Sequence, residues 1–389
     1  MNKLLLFLFV LIAPASFAQV TLKGVLKDIT TQEPVEGATI SAAGSNTATV
    51  SNSEGSFRII LPAGTAGISI SHLSYKTYTL TLEVAAATTD IFLEPAGIEL
   101  EEVVITSKPV KEILKDVISA SKKHLEKSLL MNTYYREFAK LNDTYTKFAD
   151  GLLDYNIKRK SGAADVYVKQ SRSFRLVDTG TGFRDRMSDA LNLFDVRDAV
   201  SDSYDFKWVK DLLADDKYTY ELKMRTDKEG KSIEIVTIIP KPDIKEALYE
   251  GTVIYDSATK LIIDIDIKNA EAYKKYSKVL NYVLVKFIVL DEAHKTSFKI
   301  DGDKYILSYY KIRANIHIKM NGRLDDNFDY LSDMVTMDYK EGEFDLDRSR
   351  RYKEESLFAA GTHYTEEYWK TSNTLLLTQA EENIIKKLQ

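Results

Sequence analysis

Residues 20–61 read VTLKGVLKDITTQEPVEGATISAAGSNTATVSNSEGSFRIIL, a succession of short apolar and β-branched runs broken by turn residues. Val20–Lys27 is the first strand-like run, followed by Ala38–Ala42 after the Glu33-Pro34 turn and by Thr47–Ser51. Ser53-Glu54-Gly55 reads as a hairpin turn into Ser56–Leu61, and Pro62-Ala63-Gly64 breaks that strand. Gly67–His72, Thr77–Leu82 and Asp90–Leu93 complete a set of seven short strands in fewer than eighty residues, which predicts a β-sandwich over 20–97.

The order and spacing of Gly24-Val25, Glu33-Pro34-Val35-Glu36-Gly37-Ala38, Ser53-Glu54-Gly55-Ser56-Phe57 and Ser71-His72-Leu73-Ser74-Tyr75 make a motif set. It resembles the carboxypeptidase-like regulatory domain, a transthyretin-like β-sandwich of envelope proteins in Bacteroidetes-type bacteria. Ser74 departs from the pattern, which has Gly before the Tyr. The resemblance implies an envelope location and an architecture, and it implies no catalytic residues. The next segment, Glu99–Thr106, is similar to the link that follows this module in TonB-dependent transporters. There such a segment can pair with a partner's sheet edge; the simpler reading is a linker strand packed on its own chain.

Upstream, Lys3, the apolar run Leu4–Ala13 and Ser16-Phe17-Ala18 have the form of a secretory signal over 1–18, cleaved to leave Gln19. The run is shorter than the roughly twenty residues a spanning helix needs, and no later stretch reaches that length. Cysteine is absent, which excludes disulfides, thiolate metal sites, a Cys nucleophile and lipidation at a mature N-terminal Cys. With 53 basic and 58 acidic residues the net charge is only −5, so nucleic acid is not an expected partner.

Composition changes near residue 97. Charged residues number 11 of 78 in 20–97 and 99 of 292 afterwards, and 21 of the 23 tyrosines fall in the second part. The expected organisation is a signal at 1–18, the sandwich at 20–97, a linker at 98–109 and an antiparallel-sheet domain at 110–389 with helices at both ends. After Pro109, the residues Ile113, Leu114, Val117, Ile118, Ser121 and Leu125 share one helix face, with Lys111, Lys115, Lys122 and Lys123 opposite. Thr133–Leu141 pairs with Tyr145–Ile157, Tyr218–Arg225 with Ser232–Ile239 through the turn at 227–230, and Leu248–Tyr255 with Lys260–Lys268. Val279–Asp291, Lys304–Met320 and Met334–Lys340 are further strands, and Asp185–Leu213 reads as helical or irregular. Val279–Leu290 is apolar on both sides and is expected to lie centrally. The fold class is therefore mainly β: a transthyretin-like sandwich followed by a large curved antiparallel sheet with flanking helices. The Tyr249–Asp256 hairpin with Leu261–Ile267 is similar to the repeating unit of periplasmic half-barrel lipoprotein carriers. Thr378-Gln379-Ala380-Glu381 is a capping box that opens a terminal helix.

No catalytic constellation assembles along the chain. His363 and Glu366 have a zinc-ligand spacing, but no His follows Glu366, and His72, His124 and His294 have no partner at ligand spacing. There is no nucleophile elbow and no phosphate-binding Gly-rich loop. The carboxylate pairs Asp264/Asp266 and Asp325/Asp326 read as solvated faces. One surface feature stands out, the row Lys311, Arg313, His317 and Lys319 on one strand face beside Tyr309. It suits an anionic glycan, a lipid headgroup or a peptide carboxylate; cross-strand ion pairs with Asp264 and Asp266 of a neighbouring strand are the plainer reading. The sequence therefore points to an exported, non-enzymatic binding or scaffold protein of the periplasm, or peripheral at the outer membrane of a Gram-negative bacterium. No cofactor or metal is expected, and the partner is an envelope protein, a glycan or an amphipathic ligand. The rival expectations are a hydrolase acting on glycan or peptide and an outer-membrane β-barrel component.

Overall fold

The computed structural model describes residues 20–96, 101–125, 127–158, 164–175, 194–226, 230–282 and 284–386. The expected signal at 1–18, the start of the linker at 97–100, the turn residues 227–229 and the stretch 185–193 lie outside the described residues.

Seven strands open the chain: β1 (Val20–Asp28), β2 (Thr39–Ala42), β3 (Ala48–Val50), β4 (Ser56–Leu61), β5 (Gly67–His72), β6 (Tyr75–Thr81) and β7 (Asp90–Leu93), with the short helix α1 (Leu82–Ala87) before the last. They form two sheets, β4-β1-β7 and β3-β2-β5-β6. Alternate residues of both sheets meet in a core of Leu26, Ile40, Phe57, Ile59, Ile68 and Ile70. All seven expected strands are present. The helix was not anticipated; Thr81 caps it, its hydroxyl accepting from the Val84 N–H. Gly55 explains its own motif: its φ is +71°, and a Cβ there would lie 2.3 Å from the Leu26 carbonyl.

The remaining elements are β8 (Glu101–Val103), α2 (Val110–Leu125), β9 (Leu129–Leu141), β10 (Thr144–Ile157), β11 (Ala164–Arg175), α3 (Asp198–Asp205), α4 (Lys207–Ala214), β12 (Tyr218–Thr226), β13 (Ser232–Pro240), β14 (Tyr249–Asp256), β15 (Ile262–Asn269), β16 (Lys278–Tyr282), β17 (Val285–Asp301), β18 (Lys304–Met320), β19 (Leu324–Glu341), α5 (Glu366–Thr371) and α6 (Gln379–Lys386). Among the described residues, twelve strands join one antiparallel sheet in the order β11-β10-β9-β19-β18-β17-β15-β14-β13-β12-β8, with β16 paired to β17. The path is open, its end strands β11 and β8 lying at opposite edges. The linker strand β8 pairs with β12, so this part of Glu99–Thr106 extends the chain's own sheet.

One expectation is corrected. Val279–Asp291 is not a single central strand: Lys278–Tyr282 and Val285–Asp301 form a hairpin, closed by the pair Tyr282↔Val285. A run that is apolar on both sides resembles a buried strand by period alone, yet here it is the exposed end of the sheet. The strand β11 was not foreseen, and β19 begins ten residues before the expected Met334, at Leu324.

Both faces of the large sheet are covered. On one, Leu114, Val117 and Ile118 of α2, Val200 and Tyr204 of α3, and Val209 and Leu212 of α4 pack on inward residues such as Val236, Val253, Ile265 and Ile312. The sixteen residues of α2 span about 24 Å. That matches five strand spacings of about 4.8 Å, and α2 touches β12, β15 and β18, which are five places apart. Ser121, in the middle of its apolar stripe, accepts a 3.0 Å hydrogen bond from the Ile262 N–H. The helix face is thus filled by side chains. On the opposite face sits the N-terminal sandwich, where Val50 joins Tyr134, Leu152, Tyr309, Val335 and Leu375.

His72 stands at this seam, where loss of hydration and then the Lys295 ammonium depress its imidazole to about 4. An unfolded histidine titrates near 6.5, so the unfolded chain binds more protons between those values. The stability it contributes is full above pH ~6.5 and is lost as the pH falls towards 4. Thermal melts across that window should show a smaller fall in Tm for His72→Gln than for the parent, and equal slopes would refute the assignment.

Candidate functional site

The apolar filling of the helix face ends at one rim of the sheet, where four polar side chains meet. Glu292 and His294 lie two apart on β17, so both point to the helix face. The Tyr249 hydroxyl of β14 donates to Glu292 Oε2 at 2.7 Å, and His294 Nε2 lies 3.1 Å from Glu292 Oε1. From above, the Trp208 ring of α4 stacks on His294 with 3.4 Å between centroids. The turn at Phe206 aims α4: this residue sits at φ 52° with its ring buried against Phe298. Burial holds the His294 imidazole below its ordinary value. Burial would raise Glu292, but contact with His294 and the Tyr249 hydroxyl holds its carboxyl below the usual range. His294 Nδ1, Trp208 Nε1 and Asn269 Oδ1 are buried there without a hydrogen-bond partner among the described residues.

Tyr249 is the member of this cluster that also lines a cleft of about 690 Å³. Tyr249, Tyr218 and Leu248 form its sheet side, Leu212 and Asp215 the helix side, and Tyr276 and Lys278 the base of the β16–β17 hairpin. Its charges are mixed: Lys217 reaches Glu246 at 2.6 Å and Asp215 at 3.1 Å.

The row expected on β18 lies on the other, sandwich face, and each member has a protein partner. Tyr309 is buried and donates to Asp333 Oδ1 at 2.6 Å. Lys311 reaches Glu36 of the sandwich at 2.7 Å, and Arg313 reaches Asp291 at 2.6 Å. His317 lies 2.9 Å and Lys319 3.5 Å from Asp325. Cross-strand pairing thus takes Asp291 and Asp325, and Glu36 comes from the sandwich, in place of the expected Asp264 and Asp266; Asp264 accepts from the Ser297 hydroxyl at 2.7 Å. Asp326 accepts from Asn142 at 2.8 Å. Tyr309 and Lys311 belong to a larger buried seam. Arg136 Nε donates to Asp333 at 2.9 Å and its Nη1 to Glu381 at 3.1 Å. Asp150 accepts from the Tyr134 hydroxyl at 2.9 Å and from Arg172, whose guanidinium lies 4.2 Å above the Trp369 ring. Glu381 also closes the expected capping box with Thr378.

These geometries can be set beside known proteins. Residues 22–105 match the family described as the CarboxypepD_reg-like domain. The N-terminal sandwich is a domain of that kind, and the match runs on through β8. No curated protein matches the sequence. Among solved structures, a LolA superfamily protein from Nitrosomonas europaea is 8% identical over 61% of this chain and 97% of its own, with a TM-score of 0.22. A structure reporting lipid–protein interactions in lipovitellin is 6% identical over 64% of this chain and 29% of its own, with a TM-score of 0.24.

Sequence reading passed over the Tyr249–Glu292–His294–Trp208 cluster. The available signal was Glu292-x-His294, a strand spacing that puts both on one face; Tyr249 and Trp208 reach them only through the fold. It also passed over Arg136, which reads as a solvated charge between Tyr135 and Glu137. Among the described residues no group of three His, Cys, Asp or Glu side chains is placed to hold a metal.

The seam between the CarboxypepD_reg-like domain, the sheet and α6 depends on Arg136. Burial would raise Asp333, but the guanidinium, Lys311 and the Tyr309 hydroxyl hold its carboxyl below the ordinary range. Arg136→Ala removes the guanidinium from the buried Asp333 and from Glu381, and denaturant titration should show a loss of about 3–5 kcal/mol. A change under 1 kcal/mol would show the pair to be dispensable.

Proposed function

We propose that this chain is an exported, non-enzymatic binding protein of the cell envelope, in which the CarboxypepD_reg-like domain is a fixed scaffold and the Tyr249 cleft takes a hydroxyl-rich ligand of the glycan class. The observation that carries this reading is a cleft that Tyr218, Tyr249 and Tyr276 line together with Asp215, Lys217 and Glu246, with Tyr249 donating from its wall to Glu292. Tyrosine rings beside mixed Asp, Glu and Lys side chains suit sugar faces and hydroxyls together. The side-chain filling of the helix face supports a ligand at the rim over one carried inside the sheet. No helix among the described residues is long and apolar enough to cross a membrane. A periplasmic place, or a peripheral one at the outer membrane, is part of the proposal and rests on the signal-like N-terminus. In this reading Tyr309 and Lys311 serve the seam, while Arg313, His317 and Lys319 contact an anionic group only by exchanging Asp291 or Asp325 for it.

The test is calorimetric titration of envelope oligosaccharides, with Trp208 fluorescence as a second readout. Tyr249→Phe removes the hydroxyl that orients Glu292 and should weaken binding about tenfold while leaving the fold intact. Equal affinity of parent and variant for every sugar that binds would place the ligand elsewhere. Turnover of any sugar, abolished by Glu292→Gln, would establish the hydrolase reading instead.

A further inference from the structure

The β16–β17 hairpin is the part of the chain least consistent with a surface meant only for water. Val279 is 48%, Leu280 38%, Leu284 72% and Leu290 36% exposed. Val279 and Leu280 are consecutive in β16, so their side chains leave opposite faces of the ribbon, and Leu284 stands beside its closed end. Along the segment itself the charge is of one sign. Residues 274–290 hold four lysines and no aspartate or glutamate, in a chain whose net charge is −5. Lys274 is engaged by Glu271 and Asp291, but Lys275, Lys278 and Lys286 are exposed. Lys286 stands directly across from Lys319 on β18, so two lysines share that face, Lys319 also reaching Asp325 at 3.5 Å.

We propose that this hairpin is a membrane-surface anchor, which sets Val279, Leu280 and Leu284 among the headgroups of an anionic bilayer while the flanking lysines meet the phosphates. The two-sided exposure decides the kind of partner. A protein docked on a sheet covers one face or one edge and leaves the other apolar side chains in water. A lipid interface surrounds the ribbon and takes both faces and the tip together. Lysine over Tyr276, with its ammonium 5.1 Å from the ring centroid at Lys275, gives the amphipathic border that such an interface favours. The five residues of β16 reach about 16 Å, short of the roughly 30 Å hydrocarbon core, so the hairpin lies in the interface and does not span. The cleft opens at the hairpin's base through Tyr276 and Lys278, but the anchor does not depend on what the cleft binds.

Vesicle flotation of the mature chain tests this. Phosphatidylglycerol/phosphatidylethanolamine vesicles should carry the protein at low salt, and pure phosphatidylcholine vesicles should not. Leu284→Asp should weaken the partition about tenfold. Lys278→Gln and Lys286→Gln should each weaken it about fivefold, with a shallower salt dependence. Because Leu284 is largely exposed, its variant should melt like the parent; the lysine variants give the same answer if it does not. The proposal fails if the parent stays off anionic vesicles, or if Leu284→Asp and both lysine variants float with it unchanged. It also fails if light scattering shows a parent dimer that Leu284→Asp dissociates, since the hairpin would then cover a second copy of the chain.

Discussion

Arg136 carries a full charge at 6% exposure, and it is tolerated because Asp333 and Glu381 lie on either side of it. The three come from β9, β19 and α6, so one guanidinium joins the first and last long strands of the sheet to the end of the described chain. Its neighbours Tyr309 and Lys311 extend the same network to Glu36 of the N-terminal domain. Buried ion pairs are poor sources of net stability but strict about geometry. Here the geometry fixes how sandwich, sheet and terminal helix sit together.

That seam serves a wider constraint. A sheet of a dozen strands has two faces, and in water neither can be left apolar over its whole area. Helices α2, α3 and α4 cover one face with ordinary core packing, and the sandwich with the segment around Leu375 covers much of the other. The unusual chemistry collects where this cover ends: the polar cluster of Tyr249, Glu292 and His294 under Trp208 of α4, and the apolar hairpin beyond it. The two adjoin through Tyr276 and Lys278.

Much of the architecture was legible in local pattern. Turn chemistry and period-two alternation marked the seven sandwich strands, and helical spacing marked the apolar stripe of α2, whose Leu114, Val117, Ile118, Ser121 and Leu125 are all buried. The Thr378–Glu381 box marked the start of α6 because a capping box is written in four consecutive residues. The pattern misled at Val279–Asp291, where an apolar run has the same period whether it is buried or turns back on itself at the edge. It was silent at α1 and β11, and it placed the start of β19 too late, since the buried Asp326 interrupts the alternation of Leu324, Phe328 and Tyr330 there.

Sequence alone determined the sandwich, the mainly β class, the absence of thiol chemistry and which face of each regular element is apolar, because these follow from neighbours along the chain. Tertiary structure alone decided which charges meet. Arg136 finds Glu381 across 245 positions, Lys311 finds Glu36 across 275, and Tyr249 finds Glu292 across 43. Ion pairs and polar clusters act over a few ångströms of space and carry no period along the chain, so the polar rim and the seam became visible only once the sheet had brought distant strands together.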